Sequence, residues 1–272
     1  MGATFRLPGI SGGAVALILG VYHKLLHSLN NIFKEFKESF KFLAVFGIAA
    51  LGAFFFANWV LIKAMSKIEI ISIYFFVGMI LASIPTIFKD SEMKPAELKK
   101  PLNIIPFIVG AGVVIGLGFL QELINYGSLS GMGKYGFIMF AGFVAGFVFI
   151  IPGLSFATIL IVLGVNDAFS SGLNGFDFKF LLPFGAGALV GFLLCARLLY
   201  VFIRKWKSQT YLAILGFLVG SVVLLLYTFV PSGAEIAWSL FAMLLGAGVV
   251  LGITWVSNSH QSNLSPCHKS QE

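Results

Sequence analysis

Long apolar runs alternate along the chain with short polar segments. Most of the apolar runs approach the roughly 20 residues that an α-helix needs to cross a bilayer, and they contain few charged residues. The pattern predicts membrane-spanning helices at residues 42–62, 70–88, 104–120, 180–203, 211–230 and 236–256, and a further apolar helix at 137–151. Polar loops are predicted at 89–101, 125–136 and 166–179, and a polar, disordered tail at 257–272.

The stretch from residue 23 to residue 41 has a different pattern. Lys24, Lys34, Lys37 and Lys41 are interleaved with leucine, isoleucine and phenylalanine at helical spacing. Basic amphipathic helices of this kind bind to anionic membrane surfaces. We therefore expect this stretch to lie flat on the bilayer.

Two of the apolar regions are interrupted by the same short motif, Pro-Gly-x-Ser. One copy begins at Pro8-Gly9 and the other at Pro152-Gly153, and a new apolar run follows each serine. Proline lacks a backbone N–H and glycine tolerates unusual dihedral angles, so each pair predicts a break in a helix. A serine after the break can cap the new helix, whose free N–H groups favour an anion such as phosphate. A plain kinked helix is the alternative reading of one copy, and the duplication favours a functional role.

The two halves of the chain resemble each other beyond the motif, which predicts an internal duplication. We place repeat one at about 5–120, repeat two at about 149–256, and between them a linker at 121–148 that includes the lead helix of the second motif. A whole helix precedes Pro152 but only seven residues precede Pro8, so we expect the natural chain to begin earlier. The matched positions include residues 40–43 with 178–181, Gly78 and Ser83 with Gly216 and Ser221, and residues 110–116 with 246–252.

Between a position in repeat one and the matched position in repeat two, the chain crosses the membrane an odd number of times, whether the broken helix spans the membrane or re-enters it. The two repeats are therefore expected to have inverted topology. The predicted fold class is an all-α polytopic membrane protein, with a single membrane domain at 1–256 made of two inverted-topology repeats, each with a broken or re-entrant helix at its Pro-Gly-x-Ser motif. Such an arrangement is typical of transporters whose site lies at the repeat interface.

Composition agrees with a membrane protein, because 58% of the residues are hydrophobic and 11% are charged, against about 25% charged in soluble domains. The net charge of +7 does not indicate nucleic-acid binding, since the basic residues cluster at the ends of helices. By the positive-inside rule, the more basic side is cytoplasmic, and the C-terminus lies there. That side includes Lys24, Lys34, Lys37, Lys41, Lys89, Lys94, Lys99, Lys100, Arg197, Arg204, Lys205, Lys207 and Lys269, whereas Lys63, Lys67, Lys134 and Lys179 lie on the other.

The sequence offers no pattern for a metal, a cofactor or a catalytic residue. Cys195 lies in an apolar run and Cys267 in the polar tail, so they do not suggest a disulfide or a metal site. No spacing of metal ligands, no nucleotide-binding loop and no nucleophile beside a base is found. We therefore predict a protein without cofactors, and we leave its oligomeric state open.

The pattern Pro8-Gly-Ile-Ser-Gly-Gly-Ala, with its echo Pro152-Gly-Leu-Ser155 in the second half, resembles the PopT-type polyprenyl-phosphate transporters. The resemblance covers nearly the whole chain apart from the tail. It implies a flippase of the prokaryotic cytoplasmic (inner) membrane that returns undecaprenyl phosphate, a lipid carrier of cell-envelope synthesis, from the outer to the cytoplasmic leaflet. The second copy departs from the first, because Phe-Ala follows its serine where Gly-Gly follows Ser11.

Both motifs contribute to the predicted phosphate site, in which half-helix N-termini replace the water around the headgroup. Arg6 is the predicted charge partner, with a snorkelling role at a helix end as the alternative. Arg197 is a second candidate charge, and Glu122 and Asp167 are candidates for a coupling proton. The predicted phosphate-binding residues are Arg6, Ser11, Gly12, Gly13, Ser155, Ala157 and Thr158, and the helix-breaking residues are Pro8, Gly9, Pro152 and Gly153.

Two other functional classes remain open from the sequence. A transporter of a small anion or sugar phosphate would use the same paired helix N-termini, but without a lateral opening to lipid. An intramembrane enzyme acting on lipid phosphates would need a histidine or a pair of acids near the motifs, and none is seen there.

Overall fold

The computed structural model of the chain describes residue 17 and residues 21–31, 35–91, 101–120, 131–233 and 235–264. All the regular elements in these ranges are α-helices, so the predicted all-α class is confirmed. In chain order they are α1 (Tyr22–Asn30), α2 (Phe36–Asp90), α3 (Pro101–Phe119), α4 (Gly131–Phe149), α5 (Phe156–Val162), α6 (Asn166–Gly175), α7 (Phe178–Lys205), α8 (Lys207–Thr228) and α9 (Glu235–Leu264).

Five helical segments in the described ranges are long and apolar enough to cross a membrane. A sixth candidate is the pair α5 and α6, which passes the same test together although the two helices are bent by 114°. The chain is therefore a multi-pass membrane protein by length and composition. The five segments are Ile70–Lys89, Gly131–Phe149, Phe178–Lys205, Lys207–Thr228 and Glu235–Trp255.

Helices α4 and α7 lie side by side and parallel, in very close contact. A Cβ atom added at Gly142 would collide with the backbone of Phe184, and one added at Gly146 would collide with the backbone of Ala188. Small residues four apart let membrane helices approach until their backbones touch. The close contact of α4 with α7 therefore packs the helix that leads into the second motif.

Two further pairs of helices connect the two predicted repeats: α3 packs on α8, and α9 packs on α2. At one contact Gly216 lies against the backbone of Phe107, and at the other Gly78 lies against the backbone of Met243. Gly78 and Gly216 are matched positions of the two predicted repeats. The two contacts between the halves are thus built alike, while the inverted orientation of the repeats stays a prediction.

The first two predicted spans lie in one helix. α2 runs without interruption from Phe36 to Asp90, because the residues between 62 and 70 include no proline or glycine that would stop it. Its Pro85 lies near the C-terminal end.

The basic amphipathic stretch packs in part against other helices, and its position on the membrane surface stays a prediction. Its first part forms α1, in which Tyr22, Leu25 and Leu26 are buried in the protein core while Lys24 and His27 are exposed. The apolar face that suggested binding to lipid is instead covered by other helices, chiefly α7. An amphipathic pattern shows that one face is buried, but not whether lipid or protein covers it.

Three predicted polar segments are helical at least in part. Residues 166–175 form α6 and end at Phe176, which has φ 50°. The predicted loop at 125–136 is already helical from Gly131, and the helix that precedes the polar tail continues to Leu264. No proline or glycine follows Gly252 until Pro266, so polarity alone did not end the last helix.

Candidate functional site

The second Pro-Gly-x-Ser motif breaks the chain between α4 and α5, as predicted. α4 ends at Phe149 and α5 begins at Phe156. Gly153 has φ 86°, a backbone conformation that residues with a Cβ atom rarely adopt. A Cβ at this position would also lie 2.6 Å from the carbonyl carbon of Phe217 in α8. Glycine is therefore required here both for the turn and for the close approach to α8.

Ser155 caps the helix that follows the break. Its side-chain oxygen accepts a hydrogen bond from the backbone N–H of Thr158 at 3.4 Å. The bond satisfies one of the N–H groups that have no partner within the first turn of a helix. The capping role predicted for this serine is confirmed, and its own hydroxyl hydrogen can be donated elsewhere.

α5 is too short to cross a membrane by itself. Its seven residues extend about 10 Å, and the chain then turns by 114° into α6. The turn has a glycine in the left-handed conformation, Gly164 with φ 66°, and the N–H of Val165 bonds to the carbonyl of Leu160 at 2.9 Å. This is the Schellman arrangement that ends many helices. The motif therefore belongs either to a broken span or to a re-entrant hairpin.

A small cavity lies against the motif and the start of α5. Its volume is about 20 Å³, enough for one water molecule. Its described walls come from α3, the motif with α5, and α8. None of the lining side chains in the described part of the chain is charged. They are Val114, Leu117, Gly153, Leu154, Ser155, Thr158, Ile159, Ser221, Leu224 and Leu225.

The polar and apolar parts of this cavity have different origins. Ser155 and Thr158 come from the motif, and Ser221 adds a third hydroxyl from α8. Val114 and Leu117 come from α3, a helix of the other half of the chain. The cavity thus places hydroxyl groups beside an apolar wall.

Ser221 was not among the predicted site residues. It is 3% exposed, and its hydroxyl donates a hydrogen bond to the carbonyl of Leu218 at 2.8 Å. Ser83, its matched position in the first half, is equally buried and bonds to Ile80 at 2.7 Å. A serine repeated at the same place in two apolar helices was the signal that could have identified it.

The remaining predicted site residues are not all gathered at the cavity. Ala157 is buried within α5. Arg197 on α7 and Asp167 at the start of α6 are exposed and do not line the cavity. The predicted residues that lie outside the described ranges are Arg6, Pro8, Gly9, Ser11, Gly12, Gly13 and Glu122.

Acidic, histidine and cysteine side chains do not gather into a metal site anywhere in the described ranges. Cys195 is buried in α7. The polar side chains that the described residues bring to the cavity are those of Ser155, Thr158 and Ser221.

Comparison with known proteins identifies relatives along most of the chain. The family model for undecaprenyl phosphate translocase-like proteins matches residues 1–240. A polyprenyl-phosphate transporter of Vibrio cholerae is 27% identical over 236 residues, which are 82% of this chain and 73% of that protein. A polyprenyl-phosphate transporter of Staphylococcus aureus is 27% identical over 237 residues, which are 82% of this chain and 81% of that protein. No solved structure matches the chain.

Proposed function

The chain belongs to the undecaprenyl phosphate translocase-like family. From this premise we propose that it is a transporter that moves a polyprenyl phosphate across the membrane, and that its main substrate is undecaprenyl phosphate. The direction we propose is from the outer to the cytoplasmic leaflet, where the carrier re-enters cell-envelope synthesis. Support comes from the two relatives named as polyprenyl-phosphate transporters, each of which aligns with 82% of the chain.

The headgroup of such a lipid is the part that needs a protein. A phosphate monoester carries about 1.5 to 2 negative charges near neutral pH, and its transfer into hydrocarbon without compensating partners is prohibitive. The prenyl chain has no such barrier and can remain in lipid. The transporter therefore has to supply polar groups to the phosphate alone.

The mixed lining of the cavity at the second motif is the observation that carries this proposal. The hydroxyl groups of Ser155 and Thr158 and the backbone N–H of Ala157 lie at the start of α5, where the helix dipole favours an anion. Val114 and Leu117 form an apolar wall beside them. The cavity has room for one water molecule in this structure, so in our proposal it widens during transport. The phosphate then binds to the polar side, and the first isoprene unit packs on the wall.

The first motif supplies the other half of the proposed site. We propose that Ser11, Gly12 and Gly13, which lie outside the described ranges, present backbone N–H groups to the phosphate, and that Arg6 provides a positive charge. Arg197 is exposed on α7 away from the cavity, which supports membrane anchoring as its role. Asp167, equally exposed, and Glu122 remain proposed candidates for proton coupling.

The test is the leaflet distribution of undecaprenyl phosphate in cells, read with an impermeant probe of its phosphate. Depletion of the protein is expected to increase the outward-facing pool, and wild-type protein is expected to restore it. Ser155→Ala and Arg6→Gln are expected to fail to restore it at equal protein levels, because each removes a proposed partner of the phosphate.

Ser171→Ala is the matched control, since Ser171 is exposed on α6, and it is expected to restore the pool as wild type does. An outward-facing pool that does not change on depletion, in cells without other flippases, contradicts transport of the lipid. Uptake of inorganic phosphate or a sugar phosphate by proteoliposomes would then identify the protein as a transporter of soluble anions.

A further inference from the structure

A buried hydrogen bond links the two halves of the chain at the edge of the second motif. The hydroxyl of Tyr22 donates to the carbonyl oxygen of Ile150 at 3.2 Å. Tyr22 is the first residue of α1 and is 1% exposed, whereas Ile150 directly follows α4 and stands two residues before Pro152. The bond thus joins the segment after the first motif to the break of the second.

The carbonyl of Ile150 needs this partner because the helix ends here. In a continuing helix it would accept from the N–H of Leu154, but that N–H bonds to the carbonyl of Ile151 at 3.4 Å instead. Ile150 itself is 2% exposed, so bulk water does not reach it. A buried carbonyl without a hydrogen-bond donor destabilises the folded state, and the tyrosine hydroxyl supplies the donor.

Tyr22 is held firmly at the place where it makes this bond. Leu25 and Leu26, which follow it in α1, are also buried in the core, and α1 packs along α7. On its other side the chain leads back to the first motif through the apolar run that includes the buried residue Leu17. The packing of α1 therefore fixes the place from which the Tyr22 hydroxyl reaches the Ile150 carbonyl.

We propose that Tyr22 is a positioning residue for the headgroup site: its hydroxyl holds the Ile150 carbonyl and thereby fixes the turn that carries Gly153 and Ser155. This inference rests on the proposed function of that site. Tyr22 does not touch the phosphate. It acts by keeping the second motif and the start of α5 in place against α8.

The first test compares Tyr22→Phe with wild type in proteoliposomes, with uptake of neryl phosphate, a short prenyl phosphate, measured per folded protein. The variant keeps the ring and loses the donor. The KM for neryl phosphate is expected to rise roughly 5- to 100-fold. This is the change in an equilibrium constant that corresponds to leaving one buried hydrogen-bond acceptor without a donor. A purely structural role would reduce the amount of folded protein and leave the KM of the folded fraction unchanged.

Tyr74→Phe is the matched control. Tyr74 is also a buried tyrosine, at 9% exposure in α2, and within the described ranges its hydroxyl has no hydrogen bond. The KM of the Tyr74→Phe variant for neryl phosphate is expected to equal that of wild type. An equal KM for Tyr22→Phe and Tyr74→Phe would overturn the inference.

A second readout does not depend on transport. In a Cys267→Ser background, Leu224→Cys places a reporter thiol in the wall of the cavity, while the native Cys195 stays buried. Adding Tyr22→Phe is expected to change the rate of maleimide labelling at least fivefold, and adding Tyr74→Phe is not. Equal rates would refute the positioning role. If wild-type protein moves no neryl phosphate, the proposed function fails, and the labelling rates still decide the role of Tyr22.

Discussion

At the scale of single residues, the second motif shows how Pro152, Gly153 and Ser155 break one helix and start the next. Pro152 and Gly153 end one helix, and Ser155 begins the next by accepting the N–H of Thr158. The order of these residues made both events predictable, because helix breaking and capping depend on neighbours within one turn. The role of Ser221 was not predictable in this way, since it reaches the motif only through the packing of α8.

Gly153→Ala is expected to be strongly destabilising, for two reasons that can be separated. A side chain at φ 86° strains the backbone by about 1–2 kcal/mol, and the new Cβ would also meet the backbone of Phe217 at 2.6 Å. Gly233→Ala is the matched control, because Gly233 has φ 53° but no atom near its Cβ position. Thermal unfolding in detergent should show a clearly larger loss of Tm for Gly153→Ala. Equal losses would mean that strain alone matters and that the approach to α8 is loose.

At the scale of helices, the fold depends on glycines that allow backbones to touch. The pairs α3 with α8 and α9 with α2 use glycines at matched positions of the two halves. Lipid tails are as apolar as the protein interior, so close packing replaces hydrophobicity as the force between such helices. This explains why the apolar pattern predicted where most helices lie and did not predict how they pair.

Four alanine substitutions test this packing. Gly110→Ala and Gly246→Ala are expected to lower the Tm, because the new Cβ atoms would collide with the carbonyls of Ala213 and Phe75. Gly112→Ala and Gly248→Ala, on the open faces of the same two helices, meet no atom within 4 Å. They are expected to leave the Tm unchanged or raise it, since alanine favours a helix by up to about 1 kcal/mol over glycine. A uniform response of all four variants would contradict the paired contacts.

At the scale of the whole molecule, charge distinguishes the two ends of the helix bundle. α7 begins near Lys179 and ends at Arg204 and Lys205, and α8 starts directly beyond with Lys207. The end of α2 lies at the same place, because the hydroxyl of Ser208 donates to the carbonyl of Ser91 at 3.3 Å. The described part of the chain thus collects basic side chains from three helix ends on one side, which the positive-inside rule assigns to the cytoplasm.

This sidedness leads to a labelling prediction. In a chain without its native cysteines, Lys179→Cys is expected to react with an impermeant maleimide added to intact cells. Lys205→Cys, at the opposite end of the same helix, is expected to react only after the membrane is permeabilised. Reaction of Lys205→Cys in intact cells, with protection of Lys179→Cys, would reverse the orientation and place the C-terminus outside.

The sequence by itself determined the class of the protein, the position of most helices, the break and cap at the second motif, and the family pattern. All of these depend on properties of a few consecutive residues: apolar length, the missing N–H of proline, and the hydroxyl of a capping serine. The same reasoning missed α6 and the continuity of α2, because polarity is a weaker stop signal than proline or glycine.

Only the tertiary structure decided which helices touch and what lines the cavity. It placed Val114 of one half and Ser221 of the other beside Ser155, and it brought the Tyr22 hydroxyl to the Ile150 carbonyl. It also buried the apolar face of α1 in protein rather than against lipid. These outcomes depend on shape complementarity between surfaces far apart in the chain. An apolar sequence does not distinguish a face that meets lipid from one that meets another helix, because both environments are equally apolar.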